Sequence, residues 1–193
     1  MILAVLQDTE WVSCLSQLPI ELTALQKKRL SDTGSLTQFL QSQEFPEVRF
    51  ELLGVDEIDL SSESHYIVSA IGGASVCCRT VLWAHQAVPW VYAESWIPEA
   101  VIQAHPAVME SEAPLGKWLF NGQSIQCSAF EFALLPSDDA LIQRAASKLR
   151  CQVSLLIARR RQYTMADQNS LVVVEVFFES CMQYFSQCDI AIK

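Results

Sequence analysis

Histidine and glycine are sparse in this chain of 193 residues, and the few present form no motif. His65, His85 and His105 are scattered, and no His-Glu-x-x-His zinc pattern occurs. The six glycines include one doublet, Gly72-Gly73. Without the other glycines of a phosphate loop, that doublet reads as a turn or bulge. Seven cysteines (Cys14, Cys77, Cys78, Cys127, Cys151, Cys181 and Cys188) contain no Cys-x-x-Cys pair. Zinc-ribbon and thioredoxin-type chemistry are therefore not predicted. Basic residues number 13 against 22 acidic ones, a net charge of −9, which argues against nucleic acid or an anionic membrane surface as partner. No apolar run approaches the roughly 18 residues of a membrane span. The opening Met-Ile-Leu-Ala-Val-Leu has no basic flank and turns acidic at Asp8 and Glu10, a poor secretory signal. Reduced cysteines, mostly buried as small hydrophobes of a cytoplasmic protein, are the expectation.

What the chain does have is apolar content. Hydrophobic residues make up 51%, enough for one domain with a sizeable core over residues 1–193. The stretch Arg79 to Pro98 consists of two apolar, β-branched and aromatic runs around a short polar break, the composition of a central β-hairpin. With Gln86-Ala87 as the turn, Arg79 faces Glu94, Val81 faces Tyr92 and Trp83 faces Trp90. Gln-Ala is an unusual choice for a type I′ turn, which favours Asn-Gly or Asp-Gly. Arg79 and Glu94 would then either satisfy each other or serve a ligand.

A second isolated charge lies in Leu171-Val-Val-Val-Glu175-Val-Phe-Phe178. Burial favours the protonated form of Glu175 unless a cation or donors compensate. Such a carboxyl is suited to bind a hydroxyl and move protons. The alternative is a strand-edge glutamate facing solvent. Arg79 and Glu175, each alone on an apolar strand, point to a small enclosed site for an anionic, hydroxyl-bearing ligand.

The remaining pattern supplies helices and strands. Trp11, Leu15 and Leu18 have helical spacing, and Pro19 ends it. Leu22, Leu25 and Leu30 continue on a second helix, and Ser35 with Gln38 opens a short third one as a capping box. Residues 45–54 alternate as a half-buried strand, residues 56–63 read as a solvated acidic loop, and residues 65–73 as another strand. Residues 99–109 form two helical pieces divided at Pro106, and Leu115 lies in a helical turn after Pro114. A strand is predicted within residues 124–135, a helix from an N-cap at Ser137 through Leu149, and strands over residues 152–165 and 171–178. Arg159-Arg160-Arg161 reads as a solvated face, and the tail from Glu179 as a mixed segment packing on the sheet. The sum is an α+β fold, a single domain on an antiparallel sheet of about six strands.

Taken in order, these motifs resemble the bacterial chorismate lyase family. The matches are Asp32-Thr-Gly-Ser-Leu-Thr37, the Arg79–Pro98 hairpin with its Pro-Trp, Pro114-Leu-Gly-Lys-Trp-Leu-Phe120, Glu131, Arg160-Arg161, and Leu171 to Phe178. The resemblance implies a ligand enclosed under helix–turn flaps. It implies a cofactor-independent carbon–oxygen lyase that makes 4-hydroxybenzoate and pyruvate from chorismate in ubiquinone biosynthesis. By the same resemblance Arg79 holds the ring carboxylate, Glu175 meets the ring hydroxyl, and Leu36 and Leu115 close over the ring. No metal is implied, the partners are substrate and product, and a monomer is expected. The chain departs from the family in having Glu94 where an arginine is usual, Gln86-Ala87 at the turn, and an inserted helix near residues 137–149. The alternative is a non-catalytic aromatic-acid binding domain of the same fold, the form used by sensing domains of some transcription regulators.

Overall fold

A computed structural model describes residues 9–42, 47–59, 71, 75–109, 113–120, 124–150 and 156–187. The strand expected at residues 65–73 lies outside the described residues except Ile71. The described strands are β1 (Val48–Asp59), β2 (Ser75–His85), β3 (Val88–Pro98), β4 (Gln126–Cys127), β5 (Glu131–Leu135), β6 (Leu156–Thr164) and β7 (Ser170–Phe177). They form one seven-stranded antiparallel sheet in the order β1-β2-β3-β7-β6-β4, with β5 also paired to β6. The helices are α1 (Ala24–Leu30), α2 (Leu36–Leu40), α3 (Glu99–Ala104), α4 (Leu115–Leu119), α5 (Ala140–Leu149) and α6 (Glu179–Gln187).

Local chemistry fixes several ends. Thr23 caps α1 and Ser35 caps α2, each side chain accepting from the amide three residues on. Asp139, not Ser137, caps α5: its Oδ1 accepts from Leu141 N at 2.8 Å. The split at Pro106 is present, with a 3-10 turn over Pro106–Val108 following α3. Residues 56–59 continue β1 rather than forming a loop, because they pair with Ser75–Cys78. The segment around Trp11 is not an α-helix. Val12 bridges to Phe132, and only Leu15–Gln17 makes a 3-10 turn. The described part of the tail, Glu179–Gln187, is helical, and α6 packs on α1 and β3.

The central hairpin turns at Gln86-Ala87, with φ of 49° and 66°. Two positive φ values are what a type I′ turn needs. Non-glycine residues there cost on the order of 1 kcal/mol each. Next to the turn the pairing is as expected, Ala84 with Pro89 and His85 with Val88. A bulge then shifts the register between Trp83 and Ala84. Beyond it Arg79 pairs with Ser95, Thr80 with Glu94, and Trp83 with Val91. The opposed Arg79–Glu94 pair is thus corrected. A one-residue shift sends a side chain to the other face of a sheet.

Glu94 therefore lies beneath α5. Arg144 grips it with Nε and Nη2, both at 2.9 Å, and the Tyr92 hydroxyl donates to Oε1 at 2.8 Å. Burial first, and the neighbouring Glu94 second, push the Tyr92 hydroxyl pKa up. Around them Leu141, Ile142 and Ala145 of α5 pack on Tyr92, Trp96, Val172, Val174 and Val176. Removing one partner of a buried pair costs on the order of 3–5 kcal/mol. Arg144 is 30% exposed, so Glu94→Gln is expected to cost about 2–3 kcal/mol in urea unfolding. A loss below about 0.5 kcal/mol would show the pair to be energetically idle.

The opposite face carries Trp83, Val91, Ile157 and Phe177, covered by Leu30, Leu40 and Phe185. It also carries the candidate site.

Candidate active site

Strand pairing places the site residues in two rows across this face. One row runs Arg79, Ser95, Val173, Arg161, each paired to the next on β2, β3, β7 and β6. The other runs Val81, Ala93, Glu175, Arg159. The small residues Ser95 and Ala93 leave a hollow between the charged ends. Above it lie the Gly34–Thr37 segment leading into α2 and the Pro114–Phe120 segment around α4. The cavity is part-open to solvent and has an empty volume of ≈ 530 Å³, its opening included. Phe50, Trp83 and Tyr163 supply aromatic walls.

Arg79 is 2% exposed. Its Nη2 donates to the Ala113 carbonyl at 2.6 Å, and its guanidinium lies 5.7 Å from the Phe50 ring centre. Burial pulls its pKa below the usual guanidinium value, yet an arginine stays charged. Glu175 has a side chain 15% exposed, and its Oε2 accepts from Arg159 Nε at 2.5 Å. The reading of Glu175 from the sequence turned on whether a cation lay near it; Arg159 is that cation. Arg159 also donates through Nη1 to the carbonyls of Leu30 at 2.8 Å and Asp32 at 3.2 Å. Its guanidinium lies 4.4 Å from the Phe130 ring centre. The same side chain thus orients the acid and ties the α1–α2 connection to the sheet. Burial, then Glu175, push the Tyr163 hydroxyl pKa up, and the cations of Arg161 and Arg159 offset part of this.

The four residues singled out in the sequence, Leu36, Arg79, Leu115 and Glu175, line this one cavity. Arg159 and Tyr163 line it too and were missed. The arginine run is not a solvated face: Arg159, Arg160 and Arg161 are 2%, 7% and 5% exposed. A run inside a strand must alternate, so Arg159 and Arg161 share one face of the sheet, and of the two Arg159 lines the cavity. Arg160 goes to the other face, pairing with Glu131 at 3.1 Å and stacking on Trp11. Strand alternation within residues 156–164 was the signal available for this.

An antiparallel sheet with a small hollow that carries a buried arginine and is covered by two helical segments defines a class of candidate small-molecule site. The architecture is similar to that of a GntR-family transcriptional regulator from Bacillus cereus, at TM-score 0.51 and 13% identity over 69% of this chain and 93% of that one. It is also similar to the C-terminal domain of a histidine utilization repressor from Pseudomonas syringae, at TM-score 0.51 and 11% identity over 69% and 92%. These likenesses concern the fold alone. The family model described as chorismate lyase matches residues 5–190, and the chain belongs to that family. A probable chorismate pyruvate-lyase of Shewanella sp. (strain ANA-3) is 32% identical over 56% of this chain and 59% of its own length. Another, from Pseudoalteromonas translucida, is 27% identical over 85% and 89%. The chain thus spans less than two thirds of the Shewanella relative it matches. No helix among the described residues is long and apolar enough to cross a membrane.

The two flap segments meet at Gly116. A Cβ there would stand 2.7 Å from Thr37 Oγ1 and 3.1 Å from Ser35 Oγ. Thr37 is buried and stiff at χ1, so it yields poorly. Gly116→Ala is expected to hold the two segments apart and speed the release of a small aromatic-acid probe by roughly tenfold, read by stopped-flow. Alanine also favours the helix by about 1 kcal/mol. Higher thermal stability with an unchanged release rate would mean that the flap contact is slack.

Proposed function

We propose that this protein is a chorismate lyase, splitting chorismate to 4-hydroxybenzoate and pyruvate without a cofactor. The observation that carries this is the convergence of Arg79 and Glu175 in one cavity beneath two flaps. Arg79 binds the ring carboxylate through a charge-assisted fork. Leu36 and Leu115 cover the ring. Glu175, its Oε2 held by Arg159, offers Oε1 to the ring hydroxyl and to the proton on the same carbon. Loss of that proton and cleavage of the neighbouring ether C–O bond make the ring aromatic. The released enolpyruvate takes up a proton and becomes pyruvate. Aromatisation supplies the driving force, so the site chiefly orients and dehydrates the substrate and moves one proton. A flat product held by Arg79 and Glu175 beneath two flaps leaves slowly, and release limits turnover. On this reading the partners are small molecules, and the protein acts as a monomer in the cytoplasm, in ubiquinone biosynthesis.

The test is incubation with chorismate, following 4-hydroxybenzoate by absorbance and pyruvate by a coupled assay. Stoichiometric appearance of both supports the lyase. Tight binding of 4-hydroxybenzoate without turnover would instead favour a binding domain, a use compatible with the fold likeness to the regulators.

A further inference from the structure

We infer that Arg161 is the specificity residue for a second carboxylate on the ligand, the one carried by the side chain that leaves. The inference deepens the lyase reading and rests on it for the identity of the substrate. Chorismate carries two carboxylates, and Arg79 can hold only one. The family's usual arginine at the position of Glu94 is no substitute, because that position lies under α5 on the other face.

Arg161 has the features of a group waiting for an anion. It is 5% exposed. Among the described residues no carboxylate lies within ion-pair distance of it, whereas Arg159 holds Glu175 and Arg160 holds Glu131. Its Nε is buried without a hydrogen-bond partner. Its Nη1 makes one long contact, 3.4 Å, to the Thr33 carbonyl beside the first flap. Its guanidinium lies 4.5 Å from the Phe130 ring centre and 5.1 Å from that of Tyr163, which position it without neutralising it. A buried charge with no counterion is costly and rarely kept without a use.

The row across the sheet gives the geometry. Arg79 and Arg161 stand at its two ends with only Ser95 and Val173 between them. Three strand spacings separate their Cα atoms by about 14 Å. Arg79 lines the cavity; Arg161 does not, but its neighbours Val173, Tyr163 and Arg159 do, so an anion at that end of the row would lie beside it. Glu175 is the diagonal neighbour of Arg161, two residues along from its cross-strand partner Val173. In chorismate the hydroxyl and the enolpyruvyl ether sit on adjacent ring carbons. A hydroxyl at Glu175 therefore places the ether, and its carboxylate, beside one of the diagonal neighbours of that acid. Val173 and Tyr163, which flank Arg161, both line the cavity.

The test compares two probes by calorimetry: 4-hydroxybenzoate, with one carboxylate, and 3-(carboxymethoxy)-4-hydroxybenzoate, with two. Arg161→Met removes the charge and keeps an unbranched side chain; Arg161→Lys keeps the charge without the fork. Arg161→Met is expected to weaken the dianion 30-fold or more and the monoanion less than threefold, with the melting temperature unchanged or raised. Arg161→Lys is expected to recover part of the dianion affinity. Equal weakening of both probes, or of neither, would overturn the assignment. So would a melting temperature that falls while selectivity stays, the mark of a structural residue. The parent's activity on chorismate is measured separately. A parent that discriminates the dianion through Arg161 but produces no pyruvate refutes the lyase reading and leaves the subsite standing.

Discussion

Arg79→Ala is expected to weaken 4-hydroxybenzoate binding by two to three orders of magnitude. The guanidinium is buried on an apolar strand and lines the cavity. Truncating one partner of a buried charge-assisted pair costs roughly 2–5 kcal/mol, and each 1.4 kcal/mol is about tenfold in affinity. Arg79→Lys is expected to recover little of this. A lysine has the charge but not the planar pair of donors, and it would also give up the bond to the Ala113 carbonyl that steadies the present side chain. Because that carbonyl precedes the second flap, the alanine variant should release ligand faster as well as bind it more weakly. Titration calorimetry and a release-rate measurement check both. Affinity within threefold of the parent would remove Arg79 from the site.

Glu175→Gln is expected to lower kcat for chorismate by about 10²–10⁴, the usual worth of a positioned acid–base group. Affinity for 4-hydroxybenzoate should change less than tenfold, since the amide oxygen still accepts from a hydroxyl. The variant leaves the Arg159 guanidinium without its acid, but the Leu30 and Asp32 carbonyls remain as acceptors. A modest loss of stability is therefore expected and must be measured alongside. A parallel fall in kcat and in product affinity would mean that Glu175 serves mainly to hold Arg159 and the α1–α2 connection in place. Equal turnover in parent and variant would assign the proton transfer to another group.

The two effects separate because the residues act at different moments. Arg79 meets a carboxylate present in both substrate and product, so its loss shows in binding. Glu175 handles a proton that moves only during the reaction, so its loss shows in rate.

Residue chemistry by itself determined the hairpin, its turn at Gln86-Ala87, the two short helical segments that begin after Ser35 and Pro114, and the isolation of Arg79 and Glu175 on apolar strands. These follow from local composition: an apolar strand with one charge advertises that charge whatever its neighbours are. Only the tertiary structure decided which charges meet. The bulge at Trp83/Ala84 moved Glu94 from Arg79 to Arg144, and nothing in the two runs marks where an extra residue is absorbed. Arg159 became the partner of Glu175 because β6 lies beside β7 in a register that sets those residues opposite each other. Arg161 shares its face but meets no acid there among the described residues. Three consecutive arginines look alike in a sequence. Their burial, their faces and their partners are set by strand pairing, which joins residues that local pattern cannot connect.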